Sequence, residues 1–96
     1  MSDAARYVWD PAKAAANKLR HGISFETAIR VFADPFHVSE QDRIEGGEYR
    51  WQTLGIVEGF TLLLVAHTWT DADGSEVIRI ISARRAEKHE RKRYEQ

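Results

Sequence analysis

The chain has 96 residues, 14 lysines and arginines against 15 acids, a net charge of −1 and no cysteine. That length allows one two-layer core and one domain, residues 1–96. The cysteine count excludes a disulfide framework and a thiolate metal site. The longest apolar run, Leu62 to Ala66, is too short to span a bilayer, and no signal-peptide pattern opens the chain, so a soluble cytoplasmic protein without a membrane partner is expected.

The near-neutral charge hides a separation. Residues 34–76 carry nine acids against Arg43 and Arg50, whereas residues 79–93 carry seven bases against Glu87 and Glu90. A basic end of this kind suits an anionic partner, although helix-borne charge runs are more often plain solvated faces.

In chain order, Arg6 to Trp9 reads as a short strand. Asp10-Pro11 opens a helix, with Asp as N-cap and Pro at the first helical position. Ala12, Ala15, Ala16 and Leu19 recur at helical spacing and predict a close-packing face; Lys13, Asn17, Arg20 and His21 form a polar stripe, and Gly22 ends the helix. Ser24 caps a second helix whose buried stripe is Phe25, Ala28, Ile29 and Phe32, and Asp34-Pro35 breaks it. From Phe36 the pattern turns to strands: Phe36 to Glu40, a polar loop through Arg43 to Gly47, then Tyr49 to Val57 and Phe60 to Thr70 joined by a turn at Glu58-Gly59. Asp71 to Gly74 forms another turn.

The strand that follows, Val77 to Arg85, is rich in β-branched residues, yet Arg79 interrupts it and Arg84 and Arg85 close it. A guanidinium is costly to bury unpaired, so Arg79 should face water, a partner or a phosphate. Glu87 to Glu95 is helix-prone, with Glu87–Arg91 and Arg91–Glu95 at i,i+4 spacing. The fold class is therefore α+β: an N-terminal strand and helical hairpin packed on an antiparallel meander, with a C-terminal helix. The helices should lie on one sheet face and leave the other open for a site.

Metal and nucleotide chemistry find little support. His21, His37, His67 and His89 lack ligand spacing, no glycine-rich phosphate loop occurs, and no GxSxG elbow is present. No cofactor and no metal are expected. What remains is a set of cations with aromatics: Lys13, Arg20, His21, Arg50, Trp51, His67, Trp69, Arg79 and Arg84. RNA cleavage suits such a set, because the substrate brings its own 2′-hydroxyl nucleophile and the protein need only move protons and stabilise charge. A histidine titrating near ~6.5 could shuttle the protons, and tryptophans could stack on bases. Each residue also has a plainer role. Trp9, Trp51 and Trp69 suit packing, His67 suits a structural histidine in an apolar strand, and His21 suits the negative end of a helix dipole. A simple register, Val57 opposite Phe60 and Thr70 opposite Ser75, puts Arg50 and His67 on one face and Arg79 on the other. A bulge or a one-residue slip would regroup them.

The chain resembles the BrnT-type toxins of bacterial type II toxin–antitoxin systems. The resemblance rests on Trp9-Asp10-Pro11-x-Lys13, Asn17-x-x-Arg20-His21-Gly22-Ile23-x-Phe25, Ala28, and Phe32-x-Asp34-Pro35. It continues through Gly47-Glu48-x-Arg50, Gly55, Arg79-Ile80-Ile81-Ser82-Ala83-Arg84, Glu90 and Tyr94. It implies a RelE-like ribonuclease that inhibits translation. It also implies a BrnA-type ribbon-helix-helix antitoxin as partner, RNA as substrate, and promoter DNA bound only through the antitoxin complex. Lys13, His21, Arg50, Arg79 and Arg84 occupy motif positions; for the roles, the chemistry of the side chains leads us to expect that Arg50, Arg79 and Arg84 would hold the scissile phosphate. Lys13 and Arg20 would orient the backbone, with Arg85 and His67 as further RNA contacts. His21 would transfer protons, with His67 behind it. Arg20 stands where lysine usually precedes the His-Gly pair, which keeps the charge and loses a titratable ammonium. A non-catalytic interaction module and a toxin directed at a non-RNA target such as gyrase are the alternative expectations.

Overall fold

In the computed structural model, residues 5–58 and 61–96 are described. The elements are β1 (Arg6–Val8), α1 (Pro11–His21), α2 (Phe25–Ala28) running into a 3₁₀ turn (Ile29–Ala33), β2 (Val38–Glu45), β3 (Glu48–Val57), β4 (Thr61–His67), β5 (Thr70–Ala72), β6 (Ser75–Arg85) and α3 (Lys88–Tyr94). They form one six-stranded sheet in the order β1-β6-β4-β3-β2, with β5 paired to β6. All pairings are antiparallel except β1 with β6. The expected α+β class is what the chain adopts. No helix among the described residues is long and apolar enough to cross a membrane.

The first helix begins and ends as its sequence dictates. The Asp10 carboxylate accepts from the Ala12 N–H at 2.9 Å, and Gly22 closes the helix in the left-handed region, φ +74°. Its buried face differs from expectation. Ala12, Ala15 and Ala16 are exposed and Leu19 is 90% exposed, whereas Asn17, from the polar stripe, is buried. The reason lies at the sheet edge. β1 covers only the first part of β6, Val77 to Arg79, and leaves Ala83, paired with Val65 of β4 on its other side, without a strand partner along this edge. The Asn17 amide takes that place: its oxygen accepts from the Ala83 N–H at 3.1 Å, and its nitrogen donates to the Ala83 carbonyl at 2.9 Å and to the Ile23 carbonyl at 3.0 Å. Buried backbone groups must be paired, and this requirement outweighs the apolar periodicity.

On this side of the sheet, Ile23, Phe25, Ala28 and Val31 pack against Val57, Leu63, Val65, Ile78, Ile80 and Ala83. The 3₁₀ turn crosses β3 so closely that a Cβ at Gly55 would stand 2.7 Å from the Val31 carbonyl oxygen, which is why a glycine interrupts this strand.

The second face is not open throughout, as the sequence suggested. Leu54, Leu62 and Leu64 are buried there beneath Ile56, Ala86 and Tyr94 of α3. The α3 helix carries a capping box, Glu87 with Glu90. Its ion pairs are not the expected i,i+4 pairs within the helix but links to other elements: Glu90 with Arg84 and Arg93 with Glu40. Tyr94 donates to Asp34 Oδ2 at 2.5 Å, and the same oxygen accepts from the Ile56 N–H at 2.8 Å. Asp34 thus breaks the helical layer and ties it to β3 and α3 at once. Burial pushes its carboxyl up, but the hydrogen bonds from Ile56, Tyr94 and Phe36 outweigh this and hold it below its usual value. Burial and that same carboxylate raise the Tyr94 phenol to about 12.

Several strand limits shift. The segment expected as a polar loop through Arg43 to Gly47 is the distal half of a hairpin, because β2 runs on to Glu45. Phe60 to Thr70 is two strands, with Gly59 and Phe60 themselves outside the described residues. Val57 pairs with Thr61, and Ala72 pairs with Ser75 across a two-residue turn at Asp73-Gly74 whose φ angles, 53° and 77°, suit a tight hairpin.

Candidate active site

The faces of the sheet are decided by two departures from the simple register. The one-residue shift between β3 and β4 sets Trp51, not Arg50, opposite His67. Successive strand residues alternate, so Arg50 and His67 lie on opposite faces. The second departure is a bulge between β4 and β6: Ala66 pairs with Ser82, but the next residue, His67, pairs with Ile80. Ile81 is the extra residue. It turns Arg79 away from the helices and onto the face of Arg50, where Arg79 Nη2 lies 2.5 Å from Glu48 Oε1.

The upper part of this second face, beyond the reach of Tyr94, is the candidate site. Its wall is the projecting β2–β3 hairpin, in which every residue from Glu40 to Tyr49 is exposed. Gly46 and Gly47, with φ 59° and 80°, make the two-residue turn. They place Glu45 directly opposite Glu48. Two like charges at a closing pair repel, and arginines offset them. Arg43 Nε donates to Glu45 at 2.9 Å, Arg50 Nη1 lies 4.0 Å from the same oxygen, and Arg79 takes Glu48. The Arg43 hydrogen bond, then the charges of Arg50, Arg43 and Lys13, hold the Glu45 carboxyl below the ordinary range. Lys13 of α1 therefore belongs to the same electrostatic neighbourhood. The Arg50 Nε is buried and has no hydrogen-bond partner among the described residues.

Beside this face, Lys13, Arg20 and His21 line a cleft of about 250 Å³ with Asn17, Ile81 and Ser82. The Asn17 clamp that fixes α1 on the β6 edge is what brings these cations to the bulge.

Other expected residues are placed elsewhere. Arg84 is on the site face, but Glu90, itself 4% exposed, holds its guanidinium from two oxygens at 2.9 and 2.7 Å. It serves first to dock α3. Arg85 pairs with Leu63 and lines the opposite side with Lys18, Ser24 and Thr27, away from Arg50 and Arg79. His67 is 0% exposed beneath the helices, hydrogen-bonded to Thr53 Oγ1 at 2.7 Å and to the Thr68 carbonyl at 2.9 Å. It cannot touch RNA in the folded protein, because the core covers it. The tryptophans pack rather than offer platforms on this face. Trp51 meets Trp69 edge to face at 5.1 Å and Trp9 meets Phe25 at 5.9 Å.

Glu45 and Glu48 are site groups that a reading centred on cations passes over. Two glycines between short polar segments were the available hairpin signal. Glu87, His89 and Glu90 also converge on α3. Both Glu90 oxygens already accept from Arg84, and one also from the Glu87 N–H, so that group is committed to holding the helix.

Residues 9–90 match the family model of the ribonuclease toxin BrnT of type II toxin–antitoxin systems. The chain belongs to the BrnT family. Lys13, His21, Arg50, Arg79 and Arg84 all fall within the matched span. The crystal structure of the Brucella abortus ribonuclease toxin BrnT superimposes with a TM-score of 0.62 at 22% identity, covering 88% of this chain and 100% of that one. This likeness shows a BrnT fold. No curated protein matches the chain. Membership in BrnT places the chain among ribonuclease toxins of type II systems, which act with an antitoxin partner.

Proposed function

We propose that this BrnT-family protein is a metal-independent endoribonuclease that cleaves RNA in the cytoplasm and so inhibits translation, and that a BrnA-type antitoxin neutralises it. Together the two would bind and repress their own promoter. The observation that carries the RNA-cleavage reading is the β6 bulge, which sets Arg79 on the same sheet face as Arg50, in contact with Glu48, beside the cleft of Lys13, Arg20 and His21.

In this reading Arg50 and Arg79 receive the scissile phosphate. Their charge is permanent, and they offer planar N–H donors to the non-bridging oxygens as charge grows there. Arg84 supports the face from its Glu90 anchor. Lys13 and Arg20 hold the flanking backbone, and His21 protonates the leaving oxygen. No metal is needed for this scheme, because the nucleophile is the substrate's own hydroxyl and the charge stabilisation comes from guanidiniums.

Antitoxin-free protein incubated with labelled RNA in excess EDTA tests the reading. Wild type should cleave; Arg79→Ala should lose cleavage by about 10²- to 10³-fold, as expected for a lost charge-stabilising donor, while keeping its circular dichroism spectrum. Arg79→Ala should likewise relieve growth arrest in cells. Equal cleavage by both proteins would remove Arg79 from the site, and salt-sensitive binding of intact RNA would favour a non-catalytic module.

A further inference from the structure

We propose that Glu48 is the proton acceptor of RNA cleavage, the group that takes the 2′-hydroxyl proton; this rests on the ribonuclease reading above. The cations gathered at the site leave a chemical gap. Arginine stays protonated in proteins and cannot accept a proton. His67 is the histidine that strand position seemed to offer, but it is sealed on the far side of the sheet. A base must therefore come from the exposed face.

Of the glutamates on that face, Glu40 is paired with Arg93 of α3 at 3.3 Å, and two stand at the hairpin turn. Glu45 is tied within the hairpin: its hydrogen bond comes from Arg43 Nε at 2.9 Å, an arginine of β2, and not from Arg79. Glu48 is on β3 two residues before Arg50, hence on the same face, and one of its oxygens lies 2.5 Å from Arg79 Nη2. Its side chain is 48% exposed, open to a substrate. Arg79 is its hydrogen-bond partner among the described residues, which leaves the second oxygen to accept. A phosphate seated on Arg79 would sit next to that carboxylate, so one guanidinium orients both the base and the group attacked. Exposed ion pairs contribute little to stability, and the closing pair of like charges opposes folding. Stability alone does not account for an acid at this position.

The step is balanced without a co-reactant. Glu48 takes the proton from the 2′-hydroxyl as the O2′–P bond forms; the P–O5′ bond breaks, and O5′ takes a proton from the His21 imidazolium. The products are a 2′,3′-cyclic phosphate and a 5′-hydroxyl end. Protonated Glu48 and neutral His21 then exchange with water. The charged groups around Glu48 are Arg79 of β6, in contact with it, its cross-strand partner Glu45 of β2, and Arg50 of β3, two residues on and 4.0 Å from Glu45, whose carboxylate also feels the charge of Lys13 of α1.

The test is the pH–rate profile of RNA cleavage by wild type, Glu48→Gln and Glu48→Asp, with binding measured on a 2′-deoxy oligonucleotide that cannot be cleaved. Glu48→Gln should lower kcat by about 10²- to 10⁴-fold and abolish the acid-side limb of the profile. Its affinity for the uncleavable strand should be unchanged or tighter, since a negative charge has gone. Glu48→Asp should keep the limb with partial activity, and the wild-type product should end in a 2′,3′-cyclic phosphate. A Glu48→Gln protein that keeps wild-type activity, or one that loses activity but retains the acid limb, overturns the assignment; the latter would make Glu48 a positioning residue for Arg79. If wild type leaves RNA intact both alone and with ribosomes, the ribonuclease reading itself falls and the proposal with it.

Discussion

Ser39, Thr53, His67 and the Thr68 carbonyl form a polar thread through the core, in which burial favours the neutral form of His67. Nδ1 faces a carbonyl at 2.9 Å and must donate; in the neutral ring Nε2 then accepts from the Thr53 hydroxyl at 2.7 Å, and Ser39 donates to Thr53 at 2.7 Å. Burial lowers the proton affinity of the imidazole, opposed only in part by the Thr68 carbonyl. An unfolded histidine titrates near ~6.5, so as pH falls the unfolded chain takes up a proton before the folded one does. The stability that His67 supplies is complete above ~6.5 and declines as pH drops toward the depressed folded value. Thermal melts between pH 7.5 and 5.5 should show Tm falling for wild type and falling less for His67→Gln. An identical slope in both would show that another group governs this window. Asp34 and Glu90, both held below their usual values, should act lower, with stability lost as pH falls beneath the ordinary carboxylate value of ~4.

At the scale of the element, the helix caps and the tight turns followed from local chemistry and were legible: Asp10-Pro11, Gly22, Ser24 and Asp73-Gly74 each act through their own backbone. The face that α1 buries was not legible. Periodicity marked Ala12, Ala15, Ala16 and Leu19, but an unpaired stretch of β6 recruited Asn17, and a need arising 66 residues away leaves no trace in a helical wheel. The bulge at Ile81 is similar. It is one extra residue between two pairings, and it reverses which side Arg79 takes, so the cations were recognisable singly while their grouping was not. Asn17→Ala should therefore cost more than a helix-favouring substitution suggests. It removes the partners of both the Ala83 N–H and carbonyl, at about 1–3 kcal/mol for each stranded buried group. Equilibrium denaturation should show a loss of about 2–6 kcal/mol with an unchanged m-value. A change within about 0.5 kcal/mol, ordinary for a surface site, would mean that water replaces the clamp.

Across the whole molecule, the sheet separates two basic regions that are continuous in sequence. Arg84 and Arg85 are adjacent, yet alternation sends Arg84 to the α3 side with Arg79 and Arg50, and Arg85 to the side of α2. Net charge close to neutral means that any hold on RNA depends on local grouping rather than on a general field. Single-stranded RNA binding should then weaken with salt by a log–log slope of about −0.7 for each phosphate neutralised. Removing a cation from the site side, as in Arg20→Ala, should lower affinity and make the slope shallower by roughly that amount. Arg85→Ala, with the same change in net charge, should leave both affinity and slope as they are. Filter binding of a 2′-deoxy strand over a salt series distinguishes the cases, because net charge alone would make the two variants equal. Matching losses from Arg20→Ala and Arg85→Ala would mean that RNA wraps the edge of the sheet and engages both faces.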